Sequence, residues 1–293
     1  MTGAPAIHGI IAYPITPFGR DGGVDTATLS ALLEKLIGAG VHAIAPLGST
    51  GEAAYLTEYE FDGVVDTTVN TVGHRVPVIV GASDLTTATT IRRARYAQHA
   101  GADAVMILPV SYWKLSTREI AQHYATVAAA LDIPIMAYNN PATSGIDMSP
   151  ELLVQMFTEI DNLTMVKEST GDLDRMLRIK ELTGNTLPFY NGSNPLILDA
   201  LTAGASGWCT AAPNLRPQPC LDLYAATQAG DYDAAKAIYE DLSPLLRFIV
   251  AGGLPTTVKA GLNLLGTHVG DPRPPLLPLD EAGIDEMRSL LID

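Results

Sequence analysis

The sequence predicts an α/β fold, a (β/α)8 TIM barrel that carries a C-terminal helical appendage. Three observations point there. Eight short runs of apolar or β-branched residues alternate with helical periodicity, leaving room for a crossover helix between neighbours. The first run leads into Tyr13-Pro14-Ile15-Thr16-Pro17-Phe18 and not into a glycine-rich phosphate loop, which disfavours a doubly wound nucleotide-binding sheet. From about Gly230 onward only helical patterns remain.

Taken in order, the strand candidates are Ile10–Tyr13, Ala43–Leu47, Val78–Gly81, Ala104–Leu108, Ile135–Tyr138, Thr164–Lys167, Phe189–Asn191 and Gly207–Thr210. Leu29, Leu32, Leu33, Leu36 and Ile37 form the stripe of an amphipathic helix. Asp25 is placed to cap its start, and Gly38 with Gly40 to mark its end. Thr57 with Glu60, and Ser116 with Glu119, have capping-box spacing. Ser149-Pro150-Glu151 sets a capping serine, a proline suited to the first turn and a dipole-compatible acid in sequence. The last helices are predicted over Tyr232–Val250, Thr256–Leu265 and Asp280–Leu291, with Asp271-Pro272-Arg273-Pro274-Pro275 between the final two. The expected division is residues 1–230 as the barrel bearing the site and 231–293 as helices packed on it.

At 293 residues one core suffices, and a core of that size buries about 75% of the unfolded chain's surface without disulfide help. Cys209 and Cys220 are too few for a disulfide framework and have no metal-ligand spacing. Met1–Pro5 lacks the basic-then-apolar pattern of a secretory leader, and no apolar run is long enough to cross a membrane. A cytoplasmic protein is the expectation. The formal charge of −14 argues against nucleic-acid or anionic-membrane partners, which are held by clustered Lys and Arg. An anionic small molecule must therefore be gripped by local donors.

Six lysines are present, and only Lys167 ends a buried-strand pattern. Lys35, Lys180, Lys236 and Lys259 fall in helical stretches, where a lysine normally snorkels to solvent, and Lys114 lies in a polar connection. The C-terminal end of a barrel strand is where ligands bind. A nucleophilic lysine must be neutral, and an unperturbed one is only about 0.04% neutral at pH 7, so desolvation is what makes Schiff-base chemistry feasible. Strand two ends in Leu47-Gly48-Ser49-Thr50-Gly51-Glu52, whose hydroxyls and turn N–H groups offer a cradle for a carboxylate. Strand five ends in Tyr138, a candidate proton relay. Tyr190-Asn191-Gly192-Ser193-Asn194 and Gly207-Trp208-Cys209-Thr210 are placed to line a substrate tail. Cys209 is a poor nucleophile candidate because no histidine is near it in sequence. The six histidines show no paired metal spacing, so no metal site is predicted.

Gly48-Ser49-Thr50-Gly51-Glu52, Tyr138-Asn139-x-Pro141 and Lys167-Glu168, in this order, closely resemble the dihydrodipicolinate synthase / N-acetylneuraminate lyase family. Thr16-Pro17-Phe18 and Asn191-Gly192 agree. The resemblance implies a metal-independent lyase acting on pyruvate or another 2-oxo acid, with a covalent imine on Lys167 in place of any cofactor. Tyr138 would shuttle the proton, and Ser49 and Thr50 would hold the carboxylate. Tyr112, with Trp113 as its rival, would reach into a neighbouring subunit's site, which makes a homo-oligomer, dimer or tetramer, the expected assembly.

The departures from the family's patterns bear on the second substrate. Lysine-pathway synthases carry an arginine where this chain has Thr143, and a neutral hydroxyl does not replace a bidentate cationic fork. They also carry Thr-Thr where this chain has Ser49-Thr50, and Glu58, Phe61 and Thr89 lack the usual lysine-feedback pattern. Sialic-acid lyases keep acids where this chain has Ser193, Asn194 and Pro195. The neutral tail set Thr143, Asn194 and Thr210 points to a 2-keto-3-deoxy sugar acid, cleaved, condensed or dehydrated. The alternatives are 4-hydroxy-tetrahydrodipicolinate synthase activity on pyruvate and aspartate semialdehyde, deamination of a hydroxyproline-derived pyrroline, and a non-catalytic 2-oxo acid binding protein.

Overall fold

The computed structural model describes residues 7–291, so the Met1–Pro5 stretch weighed as a leader lies outside the described residues. In chain order the elements are β1 (Gly9–Ala12), α1 (Thr26–Ala39), β2 (Ala43–Ile44), α2 (Glu58–Val72), β3 (Ile79–Gly81), α3 (Thr87–Ala100), β4 (Ala104–Ile107) and α4 (Thr117–Ala128). They continue as β5 (Ile135–Asn139), α5 (Pro141–Ser144), α6 (Pro150–Glu159), β6 (Leu163–Glu168), α7 (Leu173–Thr183), β7 (Phe189–Asn191), α8 (Ile197–Thr202) and β8 (Gly207–Thr210). Four helices close the chain: α9 (Pro217–Ala229), α10 (Tyr232–Ala251), α11 (Leu254–Leu264) and α12 (Glu281–Leu291). The eight strands form one sheet in the order β2-β1-β8-β7-β6-β5-β4-β3, with parallel pairing, which is the (β/α)8 topology the alternation predicts. Among the described residues no helix is long and apolar enough to cross a membrane.

The described residues divide into two compact units: one built on Ile79–Cys209 with the residues up to His8, the other on Gly9–Val78 with Thr210 onward. The first is a run of β–α repeats whose strands are buried on both faces, as parallel strands flanked by helices must be. Tyr124 of α4 is fully buried, and its hydroxyl donates to the Ile107 carbonyl at 2.7 Å, tying the helix to the end of β4; burial pushes its phenol pKa up. In the second unit Leu29, Leu32, Leu33 and Leu36 of α1 are buried, as are Phe61, Val64 and Val65 of α2 and Leu242, Leu245, Leu246 and Ile249 of α10. A parallel bridge joins Ile44 to Val78.

The helix ends follow the predicted chemistry. Asp25 accepts from the Thr28 N–H, and both capping boxes form, Thr57 with Glu60 and Ser116 with Glu119. Ser149 accepts from Leu152 N–H ahead of Pro150. Most element boundaries shift by a residue or two from expectation, and two of the differences have a clear backbone cause. Gly38 does not end α1, which runs on to Ala39; Gly40, at φ 99°, takes the left-handed cap. β2 stops at Ile44 and does not reach Leu47, because Pro46 has no N–H to pair and Leu47 turns to φ 61°.

Candidate active site

Strand alternation sorts the chemistry at the end of β6. Lys167 and Glu168 are neighbours and so project to opposite faces of the sheet. Lys167 is only 5% exposed, pairs in register with Tyr138 of β5, and sets its Nζ 3.8 Å from the centre of the Tyr138 ring. The geometry joins the two residues that the sequence nominated for imine formation and proton relay.

Behind them lies a polar clamp. Glu168 is fully buried and accepts from the Thr170 N–H at 2.8 Å, from Asn139 Nδ2 at 3.1 Å and from Arg175 Nε at 3.3 Å. Arg175 also bonds Asp147 at 2.8 Å and the Met148 carbonyl at 2.7 Å, while Asn139 Oδ1 accepts from the Met148 N–H at 2.9 Å. A buried carboxylate is tolerated only when paired and hydrogen-bonded in this way. The clamp binds the ends of β5 and β6 to the stretch before α6 and to α7, fixing the backbone from which Tyr138 and Lys167 project.

Two residues stand beside Lys167 whose roles the sequence left open: Ser169 was given none, and Gly192 entered only within the Asn191-Gly192 match and the tail-lining stretch. Ser169 lies two positions on, the spacing of a shared strand face; its Oγ is buried and has no hydrogen-bond partner among the described residues. Gly192, after β7, is where any side chain would collide: a Cβ there would lie 1.8 Å from Ser169 Oγ and 2.8 Å from Lys167 Cε. The period-2 rule, applied onward from Lys167, is the signal that finds Ser169.

The other nominated residues of this unit are dispersed. Tyr112 is 97% exposed and Trp113 79%, so one chain does not bring either to Lys167. Thr143 is exposed on α5, with its N–H bonded to the Asn140 carbonyl at 3.1 Å. Asn194 is buried, and its Oδ1 accepts from Trp208 Nε1 at 3.1 Å, which ties the segment after β7 to β8. Cys209 is buried on β8.

Ser49, Thr50 and Thr210 belong to the second unit. The turn after β2 is tightly drawn: Leu47 and Glu52 both lie at positive φ, 61° and 56°, which costs non-glycine residues energy. A Cβ on Gly51 would approach the Leu47 nitrogen to 2.9 Å. Thr16 Oγ1 donates to the Gly51 carbonyl at 2.7 Å, Thr50 is buried and Ser49 is half-buried. Thr210 Oγ1 accepts from the Ala212 N–H at 3.1 Å.

Glu52 closes that turn and corrects one expectation. Lys259 of α11 is no snorkelling lysine: it is buried and ion-paired with the equally buried Glu52 at 2.5 Å, with the Phe18 ring centre 3.9 Å away. Desolvation holds its pKa below the ordinary lysine range, against the opposing pull of Glu52. Glu52 also accepts the Arg273 N–H at 2.7 Å. Burial likewise pushes the Cys220 thiol pKa up, which removes it as a nucleophile.

Comparison with known proteins identifies the family. The model of the dihydrodipicolinate synthetase family matches residues 6–293. The 4-hydroxy-tetrahydrodipicolinate synthase of Methylobacterium radiotolerans is 36% identical over 96% of this chain and 93% of its own length. That of Methanospirillum hungatei is 36% identical over 94% of each. A crystal structure of a Pseudomonas aeruginosa protein superposes with a TM-score of 0.96, at 57% identity, over 98% of this chain and 99% of that one. The dihydrodipicolinate synthase of Aquifex aeolicus gives 0.93 at 30% identity over 97% of both. With strand-end motifs, topology and near-full-length similarity in agreement, the chain belongs to the dihydrodipicolinate synthetase family.

Proposed function

We propose that the protein is a Schiff-base-forming lyase acting on pyruvate or a pyruvate-derived 2-oxo acid, with no metal and no dissociable cofactor. The observation that carries this reading is a buried Lys167 at the C-terminal end of a parallel strand, its Nζ against the Tyr138 ring. In this fold that end of the strands bears the active site. Lys167 Nζ attacks the C2 carbonyl carbon of the 2-oxo acid; the carbinolamine then loses water to give the protonated imine. Loss of a C3 proton, or cleavage of the bond from C3 to C4, drives its electron pair towards the imine nitrogen and forms the enamine. Tyr138 carries the protons, and Ser49 and Thr50 hold the carboxylate by neutral donors, which suits a chain of net charge −14.

Two readings of the second substrate have support. The names of the curated relatives favour 4-hydroxy-tetrahydrodipicolinate synthase activity, the condensation of pyruvate with aspartate semialdehyde. Thr143 in place of an arginine, and the unengaged Ser169 hydroxyl beside Lys167, favour a hydroxylated 2-keto-3-deoxy sugar acid. The same proposal takes residues 1–230 as the catalytic barrel and 231–293 as its appendage. It places the enzyme in the cytoplasm as a homo-oligomer in which Tyr112 of one copy serves the site of another.

Borohydride reduction in the presence of pyruvate is the test. A reduced adduct is expected on Lys167 and none in Lys167→Ala, with the circular dichroism spectrum unchanged. No adduct would leave a 2-oxo acid binding protein as the better account, and an adduct on another lysine would overturn the role of Lys167. Turnover of aspartate semialdehyde with pyruvate against cleavage of a panel of 2-keto-3-deoxy acids then separates the two substrate readings.

A further inference from the structure

The motif Tyr138-Asn139-x-Pro141 leaves its third position open, and this chain fills it with Asn140. Two residues apart on extended backbone, Tyr138 and Asn140 project to the same side. Asn140 stands at φ −152°, ψ 80°, immediately before α5, where an asparagine ordinarily turns its side-chain oxygen onto the first helical N–H groups. Here it makes no such cap. Its Nδ2 instead donates to Tyr138 Oη at 2.7 Å, and no other hydrogen bond to that oxygen is found among the described residues. A phenol both donates and accepts. Filling its acceptor side with an amide N–H leaves the phenol hydrogen uncommitted on a side chain whose ring already packs against Lys167.

We propose that Asn140 is a positioning residue for the proton transfers at Lys167. The inference rests on the reading of Lys167 as the imine-forming residue. Tyr138 gives its proton to the hydroxyl of the carbinolamine, which leaves as water while the nitrogen lone pair forms the protonated imine. The phenolate so produced takes a proton from C3. The C3–H pair becomes the C2–C3 double bond, the imine π pair returns to nitrogen, and Tyr138 is a phenol again. The Asn140 N–H aims the phenol hydrogen during the first transfer and stabilises the phenolate oxygen between the two, as a preorganised donor does for any developing oxyanion.

The test follows the exchange of pyruvate methyl hydrogens for deuterium in D2O by NMR, which isolates the C3 proton transfer, alongside borohydride trapping at Lys167. Asn140→Val, and Asn140→Asp, which keeps the shape but removes the donor, should slow exchange by about 10–100-fold, the worth of one hydrogen bond to a charged group. Half-saturating pyruvate should stay within about twofold, with end-point trapping retained, since Asn140 acts on a step after binding. In a Tyr138→Phe background the Asn140 change should cost nothing more, because coupled residues are not additive whereas independent damage is. Unchanged exchange in both variants, losses that add in the double variant, or an effect on half-saturation alone would overturn the role of Asn140. A protein that neither exchanges the methyl hydrogens nor gives an adduct on Lys167 would overturn the imine reading itself, and this inference with it.

Discussion

Gly192 shows how much chemistry one missing side chain can carry. Its φ is not in the left-handed region, so glycine is needed there for space and not for backbone freedom. The room that a Cβ would take holds Ser169 Oγ and the far end of Lys167. Gly192→Ala must push both aside, and a displacement of about 1 Å at a reacting atom can cost 10²-fold in rate. The expected outcome is a strong loss of borohydride trapping at Lys167 with a nearly unchanged urea midpoint; a variant that traps at the normal rate would show that Lys167 adapts freely. At this scale Lys167 and Tyr138 were legible in the sequence because each ends a strand pattern. Ser169 and Asn140 were not singled out, since their meaning depends on what their side chains face: no partner for one, the phenol oxygen for the other. Lys259 was misread for a similar reason. On α11 alone it is one more lysine in a helix, and its partner Glu52 lies far earlier in the chain.

Elements were more legible than residues, because their signals are local. The N-caps Asp25, Thr57, Ser116 and Ser149 each accept the backbone N–H that their spacing predicts. Strands β5 and β6 end within a residue of expectation because their apolar runs stop abruptly at polar turns. β2 is the exception, since a run that looks continuous by hydrophobicity is cut by the backbone demands of Pro46 and Leu47. The capping boxes give a quantitative check. Ser116→Ala removes the acceptor for the Glu119 N–H at the start of α4 and should destabilise by about 1 kcal/mol, read as a lowered urea midpoint with an unchanged slope. A loss under a few tenths would mean that water replaces the cap without cost.

For the molecule as a whole, sequence order and spatial order part company: one compact unit draws on the early residues 9–78 and on everything from Thr210 onward. Arg273 is its main tie. From the proline-rich segment before α12 it forks onto Glu60 at 2.7 and 2.8 Å and reaches the carbonyls of Tyr55 and Gly22. Its hydrogen bonds, helped by Thr57, hold the Glu60 carboxyl at about 2, well below the usual carboxylate range. A carboxyl depressed in the folded state contributes stability that is present above its unfolded pKa of about 4.5 and is lost as pH falls towards 2. Allowing for solvent screening, the loss is about 1–2 kcal/mol. Urea melts of the unaltered protein and of Arg273→Met should therefore differ near neutral pH and converge as the acid window is crossed; a constant gap would place the stabilising role of Arg273 elsewhere. The Glu52–Lys259 pair has a consequence for descent. Losing either partner alone strands a charge in a dry interior, at a cost of about 3–5 kcal/mol, whereas an apolar pair of matched volume is tolerable. Each single step is thus a valley that selection would close. In lineages that keep this fold the two positions should be inherited as one character, kept together or replaced together.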